Sequence, residues 1–499
     1  MLHLVFERAL GNKLAGWRTV LQQPVSWPVL AVAAYVFLAP NIDFAAKLAW
    51  HDGQRIAQLV VISLLVLVLT ASRAKIAFAD AWADLPRWSR WALAAVFALG
   101  IVSAVQAPLP RWALLEWGMS VLLLTTALAV AAARRELGKQ MDMMLVLLFF
   151  STALAYTVTT CGVYLLMLLV GPVYGLGFDM RELYTSFSNV RFFGHVQTML
   201  LPFLLLPALY WGTTRGRLVL LGSVPAIWWM LAIGSGTRGT WAALTAGIIA
   251  ALWFGGSCGR KWAFWQLGGF VSGLMCYLLF VLGVPQLFDL PVSFLHRTGD
   301  IVSLSLREVI WSLAWQFVLD HPWLGVGPMH FAYWAKVVAA HPHNAVLQWL
   351  AEWGTPAALL LIGLWAAGGM ALAAYVRRTA AQGDDRAQFF RVALLAALTG
   401  ASAQAMVDGV LVMPVSQMLL VLLAGWAMGM MWHLKPIHIL GTTERVLLAL
   451  TVFFAATVSV WGVVPEIGDL LVRYNAFIEV RYENEILRPR FWTQGWIRP

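Results

Sequence analysis

The chain has 499 residues, of which 61% are hydrophobic and only 12% are charged, and its formal net charge is +10. Soluble domains have about 45–50% apolar and about 25% charged residues, so this composition excludes a soluble globular protein. The basic residues lie in short clusters between apolar runs rather than on one face, which argues against a nucleic-acid-binding protein.

Apolar runs recur along the chain, and many have the roughly 17–25 residues that a helix needs to cross a bilayer. They lie at 24–40, 56–71, 91–107, 112–132, 142–172, 198–213, 218–233, 241–256, 263–284, 356–375, 392–411, 415–432 and 446–464. The predicted fold is therefore an all-α polytopic membrane bundle of twelve or thirteen transmembrane helices.

Lys and Arg collect in alternate loops, which predicts a cytoplasmic N-terminus by the positive-inside rule. We predict membrane helices in 1–284 with a short periplasmic loop at 173–197, a large periplasmic catalytic loop at 285–355, further membrane helices in 356–464, and a C-terminal tail at 465–499. The tail is Arg-rich, which conflicts with an external location. Whether 446–464 crosses completely stays open at this point.

Two histidines flank a proline in the large loop, in the run His341-Pro342-His343-Asn344. Pro342 keeps His341 extended, and a helix is predicted to begin near Asn344. The positive end of that helix disfavours an imidazolium, so His343 is expected to stay neutral and able to accept a proton. A structural role is the alternative. A metal site has little support, because no carboxylates accompany the histidines and the three cysteines lack metal-ligand spacing.

A second feature of this loop is a helix near residues 307–318 with an apolar face. That face is formed by Val309, Ile310, Leu313, Ala314 and Phe317. Such a helix lies on the membrane surface or roofs a cavity, and a plain cap over the bundle is an equal alternative.

Two arginines stand where charge is costly, Arg191 just before the sixth predicted span and Arg238 just before the eighth. A guanidinium matches phosphate oxygens with two parallel hydrogen bonds, so both are candidate anion-binding residues. The alternative is that they reach the lipid headgroups. Arg297 and Arg307 are weaker candidates. The chain has neither a GxxxxGK[ST] nor a GxGxxG nucleotide motif, so the substrate itself must carry the energy of any reaction.

These residues resemble the O-antigen ligase and polymerase superfamily of polytopic glycosyltransferases. The most specific element is the pair His343-Asn344 followed by Gly354, and the run Pro322–Pro328 and Thr237-Arg238-Gly239 also resemble family motifs. The family has a second glycine after the first, where this chain has Thr355. The resemblance spans most of the chain, from the Arg191 region to Gly354.

The resemblance implies an inner-membrane enzyme of lipopolysaccharide biosynthesis whose active site faces the periplasm. It would transfer a glycan from undecaprenyl pyrophosphate to a hydroxyl of the lipid A core, with inversion and without metal or cofactor. It assigns His343 as the base or orienting group, His341 as its assistant, and Arg191 and Arg238 as pyrophosphate ligands. Ligation is favoured because the external loop is modest and no appended soluble domain is visible.

Other activities remain open alongside ligation. Within the superfamily these are polymerisation of O-antigen repeats and transfer of an oligosaccharide to a protein hydroxyl. A transporter or flippase for a lipid-linked glycan is the alternative from another class. Ionisable residues in mid-span would favour transport, and the predicted spans contain few apart from Glu116 and Asp408.

Overall fold

The computed structural model describes residues 23–45, 47–69, 72–293, 306–335, 339–432, 440–481 and 489–497. Apart from two short parallel strands, β1 (Phe178–Asp179) and β2 (Val292–Ser293), the regular structure in these residues is helical. Ten of the described helices are long and apolar enough to span a membrane. The predicted fold class, an all-α polytopic membrane bundle, is confirmed.

The helices of the first half follow one another with short connections. They are α1 (Trp27–Leu38), α2 (Trp50–Val68), α3 (Ser72–Ala83), α4 (Arg87–Gln106), α5 (Pro110–Leu137), α6 (Lys139–Tyr174), α7 (Val190–Leu204), α8 (Leu206–Trp211), α9 (Arg215–Ser235), α10 (Arg238–Phe254) and α11 (Gly256–Cys276). A π-helical segment, Tyr277–Gly283, and a 3-10 turn, Val284–Phe288, extend α11.

The second half contains the helices of the large loop and the remaining long helices. They are α12 (Arg307–Asp320), α13 (Phe331–Trp334), α14 (Ala345–Trp353), α15 (Thr355–Thr379), α16 (Asp385–Ala405), α17 (Pro414–Trp432), α18 (Thr442–Ile467) and α19 (Leu470–Arg481). Two further 3-10 turns are Pro24–Ser26 and Met180–Leu183.

Each predicted span coincides with a helix. However, α1, α10 and α16 are not among the ten helices that are long and apolar enough to span a membrane. Helices α1 and α10 have only 12 and 17 residues, and α16 begins with Asp385 and Arg386. Most of α16 is buried among other helices. A helix that is shielded from lipid does not need a fully apolar surface, which explains the lower hydrophobicity of α16, whereas α1 and α10 are apolar but short.

The centre of the bundle is α5, which packs against α17 and α18. Gly425 and Gly429, one turn apart on α17, face the carbonyls of Ala127 and Ala131 on α5, and a Cβ at either glycine would overlap them. Small residues at this spacing let two membrane helices approach closely. The closeness of α5 and α17 therefore depends on these two glycines.

Helix α18 runs the full length of the bundle. Near its start Glu444 pairs with Arg90 at the beginning of α4, and near its end Glu466 pairs with Arg111 at the beginning of α5. Since α4 and α5 run in opposite directions, these two arginines lie at opposite ends of the bundle. The chain after α18 consequently lies at the same end as the beginning of α5.

The C-terminal segment 489–497 folds back into the bundle at that end. Asp52 accepts hydrogen bonds from the Thr493 N–H and hydroxyl at 2.7 and 2.9 Å, and Arg55 donates to the Phe491 carbonyl at 3.2 Å. Arg490 is 1% exposed and pairs with Glu116 at 2.6 Å and Glu352 at 2.7 Å. Internal carboxylates thus neutralise Arg490, one of the tail arginines whose external location conflicted with the positive-inside rule.

Helix α12 covers α14 at the same end of the bundle. Its buried residues Ile310, Ala314 and Val318 pack in one cluster with Phe331 and Ala351. The predicted apolar face is correct at Ile310 and Ala314, whereas Val309 is 52% exposed. That residue lies a quarter-turn beside Ile310, at the edge of the face rather than under it.

Candidate active site

The helices that carry the two candidate arginines meet at their N-termini. Arg191 lies in the first turn of α7, whose N-cap Asn189 accepts a hydrogen bond from the Arg191 N–H at 3.0 Å. Arg238 is the first residue of α10. Gly194 packs directly on Thr240, and a Cβ at Gly194 would overlap the Thr240 hydroxyl. The N-terminal parts of α7 and α10, the helices that contain the sixth and eighth predicted spans, are therefore in contact.

The histidine loop is held in a strained turn before α14. His343 has a φ of 54°, in the left-handed region that non-glycine residues rarely adopt. Its N–H donates to Nδ1 of His341 at 3.2 Å, and the two rings lie 4.0 Å apart at 53°. The Pro342 carbonyl accepts a hydrogen bond from Nε1 of Trp311 on α12 at 3.0 Å. The side chains around the turn thus compensate for its strain.

Asn344 is the N-cap of α14, as the sequence predicted, and it also connects two parts of the site. Its Oδ1 accepts from the Leu347 N–H at 3.0 Å, and its Nδ2 donates to the Met406 carbonyl at 3.1 Å. Arg307 donates to the neighbouring Val407 carbonyl at 2.9 Å. These bonds hold the loop between α16 and α17 against the start of α14.

That loop brings a carboxylate to the histidines. Asp408 is buried, with Oδ1 3.7 Å from Nδ1 of His343 and Oδ2 3.4 Å from Nε2 of His195 on α7. The next residue must be glycine, because a Cβ at Gly409 would lie 2.6 Å from Cε1 of His341. A single acidic side chain therefore joins α7 to the histidine turn.

The electrostatics favour an ionised Asp408 beside a neutral His341. Burial acts to raise the pKa of the Asp408 carboxyl, but the His195 and His343 imidazoles outweigh it and hold that pKa well below its usual range. Burial, followed by the charge of His343, lowers the pKa of His341 well below its usual range. A neutral His341 can accept the His343 N–H through Nδ1, consistent with the observed bond.

His341 should make folding stability depend on pH. In the unfolded chain it binds a proton below pH about 6.5, whereas the buried ring resists protonation, so the protein loses stability as pH falls from 6.5 toward the folded-state pKa. The limiting slope is about 1.4 kcal/mol per pH unit. His341→Asn, which keeps an acceptor but does not titrate, should show a smaller drop in Tm between pH 7.5 and pH 5.5.

The exposed His321 provides the control for this measurement. His321→Asn should leave the difference in Tm between the two pH values as in the unsubstituted protein. Identical pH dependence in all three proteins would contradict the assignment of a neutral, buried His341.

Gly354 ends α14 with a φ of 81°, and a Cβ there would overlap the Trp323 backbone. Thr355, which replaces the second family glycine, donates its N–H to the Pro322 carbonyl at 2.8 Å, and Pro356 lies in the first turn of α15. Proline is favoured in a first turn because its missing N–H would be unbonded anyway. Only the first glycine is required by this backbone.

Of the site residues proposed from the sequence, His341 and His343 lie together, and Arg191 and Arg238 start two contacting helices. Arg307 lies beside the Asp408 loop, and Arg297 is outside the described residues. The sequence interpretation did not assign His195 or Asp408 to the site. The available signals were the four-residue spacing of Arg191 and His195 on one helix face, and a carboxylate interrupting an apolar stretch.

In the described part of the chain, no group of three or more His, Cys, Asp or Glu side chains is arranged to hold a metal ion. The arrangement offers other chemistry. The N-termini of α7 and α10, with Arg191 and Arg238, form a place where negative charge is favoured. His195, one turn beyond Arg191 on α7, lies beside Asp408, and this carboxylate faces the partly exposed His343 imidazole.

Comparison with known protein families gives a match that includes part of this candidate site. Residues 221–362 match the family model described as O-antigen ligase. The matched segment contains Arg238, His341 and His343, whereas Arg191 and Asp408 lie outside it. No curated protein matches the chain. The O-antigen ligase match supports a glycosyltransferase-like membrane enzyme of the ligase and polymerase superfamily.

Proposed function

We propose that this chain is an O-antigen ligase. It transfers an O-antigen glycan from undecaprenyl pyrophosphate to a hydroxyl of the lipid A core at the periplasmic face of the inner membrane. The observation that carries the proposal is the His343–Asp408 pair at the same end of the bundle as the helix N-termini of Arg191 and Arg238. The O-antigen ligase match over 221–362 supports the same reaction class.

In the proposed reaction, the acceptor oxygen attacks the anomeric carbon of the donor sugar from the face opposite the pyrophosphate. The new C–O bond forms while the bond from the anomeric carbon to the pyrophosphate oxygen breaks, which inverts the configuration. The lipid pyrophosphate leaves with the electron pair, and the acceptor proton passes to His343. Arg191, Arg238 and the two helix N-termini stabilise the charge that develops on the leaving group.

Asp408 is the positioning residue for His343 in this mechanism. Its carboxylate faces Nδ1 of His343 and favours the tautomer with hydrogen on that nitrogen, so Nε2 can accept the acceptor proton. The same carboxylate stabilises the imidazolium formed afterwards. His341 is fully packed and bonds the His343 backbone, so we assign it to holding the turn rather than to contacting substrate.

The polymerase and the protein oligosaccharyltransferase would use the same groups with another acceptor. A flippase would bind the same lipid-linked glycan without breaking the sugar–phosphate bond. The match of residues 221–362 to the O-antigen ligase family model favours the enzyme over the flippase.

The test is reconstitution of the purified full chain in liposomes with a glycan-bearing undecaprenyl pyrophosphate and lipid A core, in excess EDTA. The expected product is glycan joined to lipid A core, with release of undecaprenyl pyrophosphate. Longer lipid-linked glycan in place of this product would identify a polymerase, and unchanged donor moved across the bilayer would identify a flippase. Activity that vanishes in EDTA and returns with a divalent ion would overturn the metal-free mechanism.

A further inference from the structure

A cavity of about 370 Å³ lies beside the candidate active site, between α4, α5, α15 and α17. Helix α14 and the C-terminal segment close its outer end through Gln348, Trp349, Trp353, Arg490 and Phe491. Its lining includes none of the four residues assigned above to catalysis or pyrophosphate binding. The volume lies within the range of small-molecule binding sites, about 300–1,000 Å³.

The cavity is polar at one end and apolar at the other. Arg55, Glu116 and Gln417 lie within about two turns of the helix ends at which the active site is found, and Arg490 is beside them. Leu124 is eight residues beyond Glu116 on α5, about 12 Å deeper along the helix axis. Around that depth the lining is formed by hydrocarbon and aromatic side chains, which are Leu93, Val96, Phe97, Leu123, Leu124, Leu361 and Leu420. Such a gradient suits an amphipathic molecule.

The polar end holds hydrogen-bond donors without partners. Arg490 is 1% exposed, and its Nε and Nη1 have no hydrogen-bond partner among the described residues, while Nη2 serves both Glu116 and Glu352. Both nitrogens are enclosed by the protein, so the polar groups that a ligand can reach at this end are the partly exposed Glu116 carboxylate and the Gln348 amide. A carboxylate accepts hydrogen bonds and an amide both donates and accepts them, so this end suits a ligand with hydroxyl groups.

The neighbouring carboxylates decide what kind of acceptor fits. Two guanidiniums, Arg55 and Arg490, and two carboxylates, Glu116 and Glu352, surround the polar end, so no excess positive charge is left to attract a phosphate or sulfate. Hydroxyl groups both donate and accept, which suits the Glu116 carboxylate and the Gln348 amide. The aromatic side chains Trp349, Trp353 and Phe491 also line this end, as is common in sugar-binding sites.

We propose that this cavity binds a membrane amphipath with an uncharged, hydroxyl-rich head, in other words a sugar-headed lipid. The head lies at Arg490, Glu116 and Gln348, and the hydrocarbon chain follows the leucines toward Leu124. Binding does not depend on the proposed transfer reaction. It would nevertheless place a glycolipid beside α14 and the loop that carries Asp408, because Gln348 and Leu411 belong to these same segments.

The test uses the full chain in lipid nanodiscs with radiolabelled octyl glucoside, below its micelle concentration, and octylphosphocholine as a probe with the same chain. One saturable glucoside per protein is expected, absent from empty nanodiscs, with at least about tenfold weaker binding of the phosphocholine. Leu361→Trp, which fills the apolar part, should remove this binding. Leu359→Trp, on the same helix but 60% exposed and outside the cavity, should leave it unchanged.

If Leu361→Trp does not fold, Ser120→Leu is the second cavity-filling variant, because Ser120 lines the cavity from α5. It should also remove the binding of the glucoside. His343→Ala should bind the glucoside normally while losing transfer, so a failure of the proposed function is distinguishable from a failure of this site. No saturable binding, equal affinity for the two heads, or equal binding by the Leu361 and Leu359 variants would each overturn the proposal.

Discussion

Replacing His343 with alanine is expected to reduce glycan transfer by about 10²–10⁴-fold, the usual contribution of a general base. The imidazole is partly exposed and contacts Asp408 rather than forming part of the core, so the variant should fold normally. The measurement is the initial rate of ligation in reconstituted liposomes at matched protein levels. His321→Ala, an exposed histidine in the same loop, is the control and should keep full activity.

Asp408→Asn provides the second part of this prediction. It keeps the shape of the side chain but removes the charge that orients His343 and stabilises its protonated form. We expect a loss of rate smaller than that of His343→Ala, and no additional loss when the two substitutions are combined, because residues that act as a unit are not additive. Additive losses in the double variant would show that Asp408 acts independently of His343. Near-normal turnover by His343→Ala would remove the histidine from the mechanism.

Replacing Arg191 or Arg238 with alanine is expected to weaken binding of undecaprenyl pyrophosphate by about 10–100-fold, the equivalent of about 1.5–3 kcal/mol for a hydrogen bond to a charged group. Lysine at either position keeps the charge but loses the paired donors, so an intermediate defect is expected. The measurement is affinity for undecaprenyl pyrophosphate without a glycan, compared with the KM for acceptor.

Arg215→Ala is a matched control for the two arginines. Arg215 is also the first residue of a long helix, but α9 runs from it toward Ser235, which lies next to the site, so Arg215 is at the far end of the bundle. This variant should bind the lipid pyrophosphate normally. If donor affinity is unchanged in both alanine variants while acceptor use collapses, the arginines bind the acceptor and the proposed orientation of the substrates is wrong.

The positions of the long helices were predictable because the bilayer imposes one length and one composition on any helix that crosses it. Helix α16, which coincides with a predicted span although it begins with charged residues, is largely shielded by neighbouring helices. The N-cap at Asn344 was also predictable, since a short side-chain oxygen before an apolar helical run satisfies the first free N–H groups.

The composition of the site was only partly predictable. His341 and His343 are two residues apart, so their proximity follows from the sequence, and the family-like Gly354 marks the end of the helix they precede. Asp408 is 65 positions beyond His343 in the numbering, and no local pattern says which helix ends will meet. Its contacts with His195 and His343 exist because α7, α14 and the loop before α17 pack at one end of the bundle.

The C-terminal tail also shows which properties follow from the sequence and which require the tertiary structure. The sequence by itself determined that the tail is basic and follows a long apolar run, and the positive-inside rule then argued against an external location. The tertiary structure shows how Arg490 is accommodated, because Glu116 of α5 and Glu352 of α14 converge on it and neutralise its charge. Hydropathy and charge are local properties, and they determine separately for each helix whether it can cross the bilayer. A buried ion pair, a site carboxylate and a cavity form only after several helices that are distant in the sequence have packed together.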